Sequence, residues 1–277
     1  MTRSDGIITE PTPLFGGGRT PTGTTTGAAA LADTGPETAD LLDRFLDELQ
    51  DGLAPLAVWA HGSLGGGDYQ EGRSDLDLIA VLAGPVTART AWRVARLHAR
   101  LRHEPLAALL HCTYLTSGTT DDAQRKHLTW AHEQLFRRTV TPVTRRELHT
   151  FGLVLHGESP KGLLPPVSDI ELDAFVVRDQ QEFWRPAVDK AHLWNQDVWV
   201  DLGLLTHARA TAALRDGRLI TKREALDLLP TLGAPAEVVD DIRRRRYGQR
   251  AEEVPHRGEL TRAFLGPATD DLVRTYG

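Results

Sequence analysis

Between Val58 and Leu82 the chain reads V-W-A-H-G-S-L-G-G-G-D-Y-Q-E-G-R-S-D-L-D-L-I-A-V-L, and this stretch constrains the fold more than any other. Gly62-Ser63 closes a short apolar run. Eleven residues separate Ser63 from Asp75-Leu76-Asp77, which heads a second apolar run. Along a strand, successive side chains point to opposite faces, so Asp75 and Asp77 share one face while Leu76 and Leu78 share the other. Two carboxylates one pleat apart repel and lose hydration unless a cation lies between them. Hard oxygen ligands on rigid backbone suit Mg²⁺, which also takes phosphate oxygens.

Gly62-Ser63 complements that pair. A small residue pair at a strand end lets backbone N–H groups and a hydroxyl approach phosphate closely. Alone, it would be an ordinary glycine-rich turn followed by a strand with exposed acids. Combined with D-L-D-L and an apolar tail at this spacing, it points to a site for metal and nucleotide.

The pattern G-S, about a dozen residues, then D-h-D-h resembles the signature of nucleotidyltransferases of the DNA polymerase beta superfamily. The resemblance implies that Gly62 and Ser63 help hold a nucleoside triphosphate and that Asp75 and Asp77 bind divalent metal. It also implies a catalytic role for the two aspartates.

The bulk composition fits an enzyme of this kind. With 277 residues, two domains are the natural expectation. A formal charge of −6 disfavours a dedicated nucleic-acid binder. The single cysteine, Cys112, excludes an intrachain disulfide, and no apolar run reaches the length of a membrane span. The first thirty residues lack the order of a signal peptide, so a cytoplasmic protein is expected.

Residues 1–35 are rich in Thr, Gly and Pro and poor in large apolar groups, the composition of a disordered arm. A helix is expected from Pro36 to about Gln50, with Leu41, Leu42, Phe45, Leu46 and Leu49 as its apolar stripe. Strands are expected at 56–60, 76–82 and 109–115, with a helix at 87–103 on which His98 reads as a core or edge histidine. From Asp121 onward the expectation is helices, broken by a strand-like piece at 153–156 and a Pro/Gly connector at 157–168. Helices then follow at 169–194, 197–215, 222–229, 236–250 and 258–276. The expected fold is therefore α+β: a small mixed-sheet nucleotidyltransferase domain at 36–157, then an all-α domain at 158–277.

The segments at 204–230 (L-L-T-H-A-R-A-T-A-A-L-R-D-G-R-L-I-T-K-R-E-A-L-D-L-L-P) and 243–249 (R-R-R-R-Y-G-Q) resemble the helical domain of streptomycin/spectinomycin-type aminoglycoside adenylyltransferases. In that family a lysine, an arginine and a tyrosine of the second domain close on ATP, and those positions match Lys222, Arg209 and Tyr247. Physical reasoning adds to two of them. Arg209 lies on an apolar helical stripe, which suits either a phosphate fork or an interdomain salt bridge. Lys222 opens a helix, where a cation opposes the helix dipole and calls for an external anion or a nearby carboxylate such as Glu224.

The chain departs from the family in two places. A third carboxylate normally sits on the strand after the second helix, and His111 occupies that position. No Asp or Glu lies between Glu104 and Asp121. His111 could act as general base, since neutral imidazole suits proton abstraction from an alcohol. Alternatively Glu104 supplies the carboxylate, transfer activity is lost and nucleotide binding remains, or His111 is a core histidine. On the acceptor side, the family's acidic positions become Asn195 and Trp199, with Asp197 and Asp201 two places off. Trp184, Trp194 and Trp199 could form an aromatic acceptor platform or simply pack between helices. The basic run at 243–246 reads as a solvated face. The resulting expectation is transfer of AMP from ATP, with Mg²⁺, to a hydroxyl of a small molecule, releasing pyrophosphate. Protein modification and nucleotide binding without transfer are the alternatives.

Overall fold

The computed structural model describes residues 34–250 and 254–277, so the expected N-terminal arm lies almost wholly outside the described residues. Six strands form one mixed sheet in the order β5-β4-β3-β2-β1-β6. They are β1 (Ala57–Ala60), β2 (Leu76–Leu82), β3 (Leu110–Thr116), β4 (Lys126–Ala131), β5 (Gln134–Thr139) and β6 (Leu153–Gly157). Only β2 and β3 pair in parallel, and their register sets Asp77 opposite His111. The other neighbours are antiparallel.

Two helices cover one face of the sheet. α1 (Pro36–Leu53) begins with proline, whose fixed φ suits the first turn, and buries Leu41, Leu42, Phe45 and Leu49. The four-residue turn α2 (Gly62–Gly65) carries Gly62-Ser63, and α3 (Ala88–Leu101) starts at a Thr87/Thr90 capping box. α1 and α3 pack with β2 and β3 into one core that includes Leu76, Leu78, Cys112 and Tyr114. In that core His98 stacks on Trp130 at 4.4 Å and its Nε2 lies 2.8 Å from the Tyr114 hydroxyl, so it is a core histidine.

The opposite face of the sheet meets α4 (Pro142–Phe151), which also sends Val143 into a helical core with Leu172, Val176, Ala210 and Leu272. After a short turn α5 (Pro160–Leu163) the chain is helical: α6 (Asp169–Asp179), α7 (Arg185–Val188), α8 (Asp197–Asp216), α9 (Lys222–Leu228), α10 (Ala236–Arg246) and α11 (Arg257–Tyr276). The α+β class, a mixed sheet followed by helices, is as expected. Among the described residues, no helix is long and apolar enough to cross a membrane.

Three features differ from expectation. The hairpin β4–β5 lies in a region expected to be helical. Its two-residue turn, His132-Glu133, has φ of 50° and 58°, a conformation usually announced by Asn-Gly, and here no such signal is present. The expected single helix at 169–194 is divided: a π-helical segment Gln180–Trp184 precedes Arg185-Pro186, whose proline cannot donate a backbone hydrogen bond to the preceding turn. The expected helix at 236–250 ends at Arg246.

Burial holds His98 well below its ordinary pKa, at about 3, and His207 at about 4. A histidine whose folded pKa lies below its unfolded value of about 6.5 contributes stability above pH 6.5, and loses it as pH falls toward the folded pKa. Denaturant titrations should therefore show stability dropping between pH 7 and pH 5 by about 2 kcal/mol for each such histidine. His98→Gln should remove its share of the acid limb.

Candidate active site

The cleft lies where the first turns of α4, the sheet and the start of α9 meet. Gly62, Ser63, Asp75, Asp77 and Lys222 all line it, so five of the residues singled out in the sequence converge. Gly62 is required by space: a Cβ there would sit 2.6 Å from Asp77 Oδ2, and its φ of +61° is one that other residues rarely adopt. The main chain thus passes directly against the carboxylate. The His61 N–H donates to the Asp77 carbonyl at 3.0 Å and fixes this approach.

His111 lies beside the aspartate pair rather than in the cleft wall. Its Nε2 is 3.9 Å from Asp75 Oδ1 and its Nδ1 3.8 Å from Asp77 Oδ1, both too long for hydrogen bonds. Its ring meets that of His132 edge to face at 4.5 Å. Nε2 is buried and has no hydrogen-bond partner among the described residues. Burial alone would lower the His111 pKa, but Asp77 and Asp75 outweigh it and raise the pKa above its ordinary value. Burial and the neighbouring Asp77 raise Asp75, whereas Asp77, despite its own burial, is held below the usual carboxylate range by His111, His61 and Arg138. Glu104 does not reach the site: it pairs with Arg44 at 2.7 Å, outside the cleft lining.

Lys222 stands across the cleft. Burial lowers its pKa first, then Arg246 and Arg209, against the pull of Asp75 and Asp77. The Glu224 carboxylate is committed elsewhere, accepting from the Thr221 N–H at 2.7 Å as part of a capping box. Among the described residues no carboxylate lies within ion-pair distance of Lys222.

Arg209 and Tyr247 do not line the cleft. Arg209 is fully buried, donates through Nε to the Ile220 carbonyl at 3.0 Å, and lies 3.7 Å from Glu147. Burial lowers its pKa to about 9. The Tyr247 hydroxyl donates to Asp68 Oδ1 at 3.1 Å, with the Arg223 and Arg246 guanidiniums against its ring.

Spacing did not single out Asp68, Glu147, His61 or Arg138. Asp68 is 3% exposed and accepts from Arg246 Nη2 at 2.9 Å, the Arg223 N–H at 3.1 Å and Tyr247. It thereby ties the loop between Ser63 and Asp75 to α9 and α10. Glu147 lines the cleft from α4, with Oε2 3.2 Å from His61 Nδ1 and Oε1 facing Arg209. Arg138 lines it from β5 and sets a cation beside the aspartate pair. In the sequence, the one local signal at Asp68 is an acid directly after three glycines, G-G-G-D at 65–68.

The acceptor-side expectations change. Asp201 takes two hydrogen bonds from Arg245, at 2.7 and 2.6 Å, and one from Arg257 at 2.9 Å, while Asp197 pairs with Arg257. Both acids are thus paired to arginines, Asp201 in a partly buried setting and Asp197 in an exposed one. Trp184, Trp194 and Trp199 are buried together in the helical core, where they pack rather than form a platform. The run 243–246 is not a solvated face, because Arg243, Arg245 and Arg246 pair with Asp227, Asp201 and Asp68.

This mixed sheet, with Gly-Ser and two aspartates on one edge of a cleft that helices close, is an α+β fold with a helical partner. A solved structure of spectinomycin adenyltransferase AAD(9) from Enterococcus faecialis, with ATP and spectinomycin, has the same fold: the TM-score is 0.66 over 83% of this chain and 98% of that one, at 15% identity. No protein-family profile and no curated protein matches the chain.

Replacing Asp68 with alanine leaves the Arg246 cation, itself 11% exposed, without its buried partner. Stability should fall by about 3–5 kcal/mol. Urea denaturation of Asp68→Ala against the parent checks this, and an unchanged midpoint would show that the contact is incidental.

Proposed function

We propose that the protein is an adenylyltransferase that moves AMP from ATP to a hydroxyl of a small molecule and releases pyrophosphate. The observation that carries this reading is Lys222: a partly buried cation with no ion-pair partner among the described residues, facing two carboxylates across a cleft. Such a cleft has a place for an anion on one wall and for a divalent cation on the other. The triphosphate of ATP with Mg²⁺ satisfies both, and the solved structure of like fold holds ATP. The two parts, 36–157 and 158–277, would act as catalytic and closing domains of a cytoplasmic enzyme.

Asp75 and Asp77 fit Mg²⁺. They are hard oxygen donors on rigid backbone, they repel each other in a partly buried setting, and Gly62 leaves space for a close approach at Asp77. No group of three or more His, Cys, Asp or Glu side chains converges as a metal site among the described residues, so phosphate and water oxygens would complete the shell. When bound, the ion supplies neutralisation of phosphate charge.

The remaining roles fall to the chain. Gly62 and Ser63 hold the triphosphate through main chain and hydroxyl, and Lys222 balances the charge that develops on pyrophosphate. Arg209 and Tyr247 act from behind, Arg209 through Glu147 and Tyr247 through Asp68. The acceptor oxygen forms a bond to the α-phosphorus while the bond to the pyrophosphate oxygen breaks. With a divalent cation held by Asp75 and Asp77, the pull of these carboxylates on the imidazolium would be offset, and the acceptor's proton passes to Nε2 of the neutral His111 ring, the buried nitrogen with no hydrogen-bond partner among the described residues. With Asp197 and Asp201 paired to arginines, an acceptor less cationic than an aminoglycoside is favoured.

Pyrophosphate release with ATP, Mg²⁺ and panels of aminoglycosides, nucleosides and sugar alcohols tests the reading, with mass spectrometry of the product separating a small-molecule acceptor from a protein one. Asp77→Asn should abolish release and His111→Ala should lower turnover by about 10²–10⁴-fold, both with the fold intact by circular dichroism. ATP binding without release on any acceptor would leave a nucleotide sensor instead.

Lys222→Ala should weaken ATP by roughly ten- to over a hundredfold, the loss of one charge-assisted contact of about 1.5–3 kcal/mol. Isothermal titration measures this. Unchanged ATP affinity with reduced thermal stability would place Lys222 in the framework.

A further inference from the structure

The strand order gives the cleft two ends. Gly62 and Ser63 follow β1, Asp75 and Asp77 stand at the head of β2, Thr113 lies on β3 and Arg138 on the edge strand β5. Helix α4 repeats this order above the sheet. It follows β5 and brings Thr144 to the cleft in its first turn, while Glu147, one turn on, reaches His61 beside Gly62 at 3.2 Å. The Gly-Ser pair therefore marks one end, and Thr113, Arg138, Thr139 and Thr144 mark the other, past the aspartates. In-line displacement brings the acceptor to the α-phosphorus from the side opposite the pyrophosphate. With pyrophosphate held at Gly62 and Ser63, the acceptor occupies the end formed by β3 and β5.

Among the described residues lining that end, Arg138 is the one that carries charge. Its side chain is partly buried, and its Nε donates to the Thr113 hydroxyl at 3.4 Å, a neutral partner at a long distance. Among the described residues its two terminal nitrogens have no hydrogen-bond partner and no carboxylate lies within ion-pair distance. Burial lowers the Arg138 pKa, against the pull of Asp77. Once Asp75 and Asp77 hold a divalent cation, that pull is offset as well. A guanidinium withdrawn from water calls for an anion, and its planar fork matches a carboxylate or a phosphate. The positive end of the α4 dipole adjoins the same end of the cleft and adds to the preference.

We propose that the acceptor is an anionic hydroxyl compound, a hydroxy acid or a phosphate ester, whose oxyanion seats on Arg138 while its hydroxyl reaches the α-phosphorus. This rests on the adenylyltransferase reading and names the class of acceptor. The hydroxyl oxygen bonds to the α-phosphorus, the bond to the pyrophosphate oxygen breaks, and the proton passes to His111. The oxyanion on Arg138 is unchanged by the step. An ammonium group in its place would meet the guanidinium and be repelled.

Isothermal titration of the full chain, with Mg²⁺ and the non-transferable α,β-methylene-ATP, separates this proposal from the reading it rests on. Failure of the analogue to bind overturns both. With the analogue bound, inorganic phosphate or acetate should fill one site, and the tighter of the two distinguishes a phosphate ester from a hydroxy acid. Arg138→Gln should weaken that anion by about tenfold or more while the analogue's affinity holds, and Arg138→Lys, which keeps the charge, should weaken it less. A bound analogue that admits neither anion, or an anion indifferent to Arg138→Gln, overturns the proposal alone. So does a loss of analogue affinity in Arg138→Gln, which would make Arg138 a ligand of the triphosphate. Pyrophosphate release supplies a readout that needs no variant: glucose 6-phosphate or gluconate should exceed glucose and glucosamine by about tenfold or more in kcat/KM. A preference for glucosamine overturns the proposal, and where none of the four is adenylylated the titration decides.

Discussion

Two carboxylates that repel each other set the terms for everything around the cleft. Asp75 and Asp77 share a face because β2 is a strand, and the structure answers their charge with His111 on β3, Arg138 on β5, His61 on the strand exit and Lys222 from the helices. These groups come from separate segments of the chain. The sheet order and the placement of α9 bring them together, so the arrangement exists only when both halves are folded.

The cations are not equivalent. His111 and Arg138 sit on the sheet and are carried by its hydrogen bonds, whereas Lys222 rides on a helix that belongs to a different core. Lys222 stays uncompensated because Glu224 is used as a cap. One carboxylate cannot both satisfy an orphan N–H at the helix start and neutralise the lysine, and the local backbone demand prevails.

How much of this could be read from the sequence followed from how local each determinant is. The first three strands, α1 and α3 were legible because their signals are local: Thr87 begins α3, and Leu76–Leu82 is a strand as its short apolar run implies. The β4–β5 hairpin was not, because His132-Glu133 adopts a turn that other pairs normally signal. In the candidate site, Gly62, Ser63, Asp75 and Asp77 were legible because they share one short motif. Asp68 and Glu147 were not, because their importance comes from partners 62 to 179 positions away. Arg209 and Tyr247 were expected at the nucleotide; in this structure Arg209 faces Glu147, which lines the cleft, and Tyr247 contacts Asp68, and a sequence carries the residue type but not the distance.

The tether at Asp68 has a mechanical side. Its loop leaves Ser63 and returns to Asp75, so both motif halves hang from it, while its carboxylate and carbonyl are gripped by α9 and α10. Any swing of those helices away from the sheet must either break these bonds or drag the loop. While these bonds hold, opening of the cleft and the spacing between Ser63 and Asp75 are one degree of freedom, and the entrance widens only by disturbing the geometry at its floor.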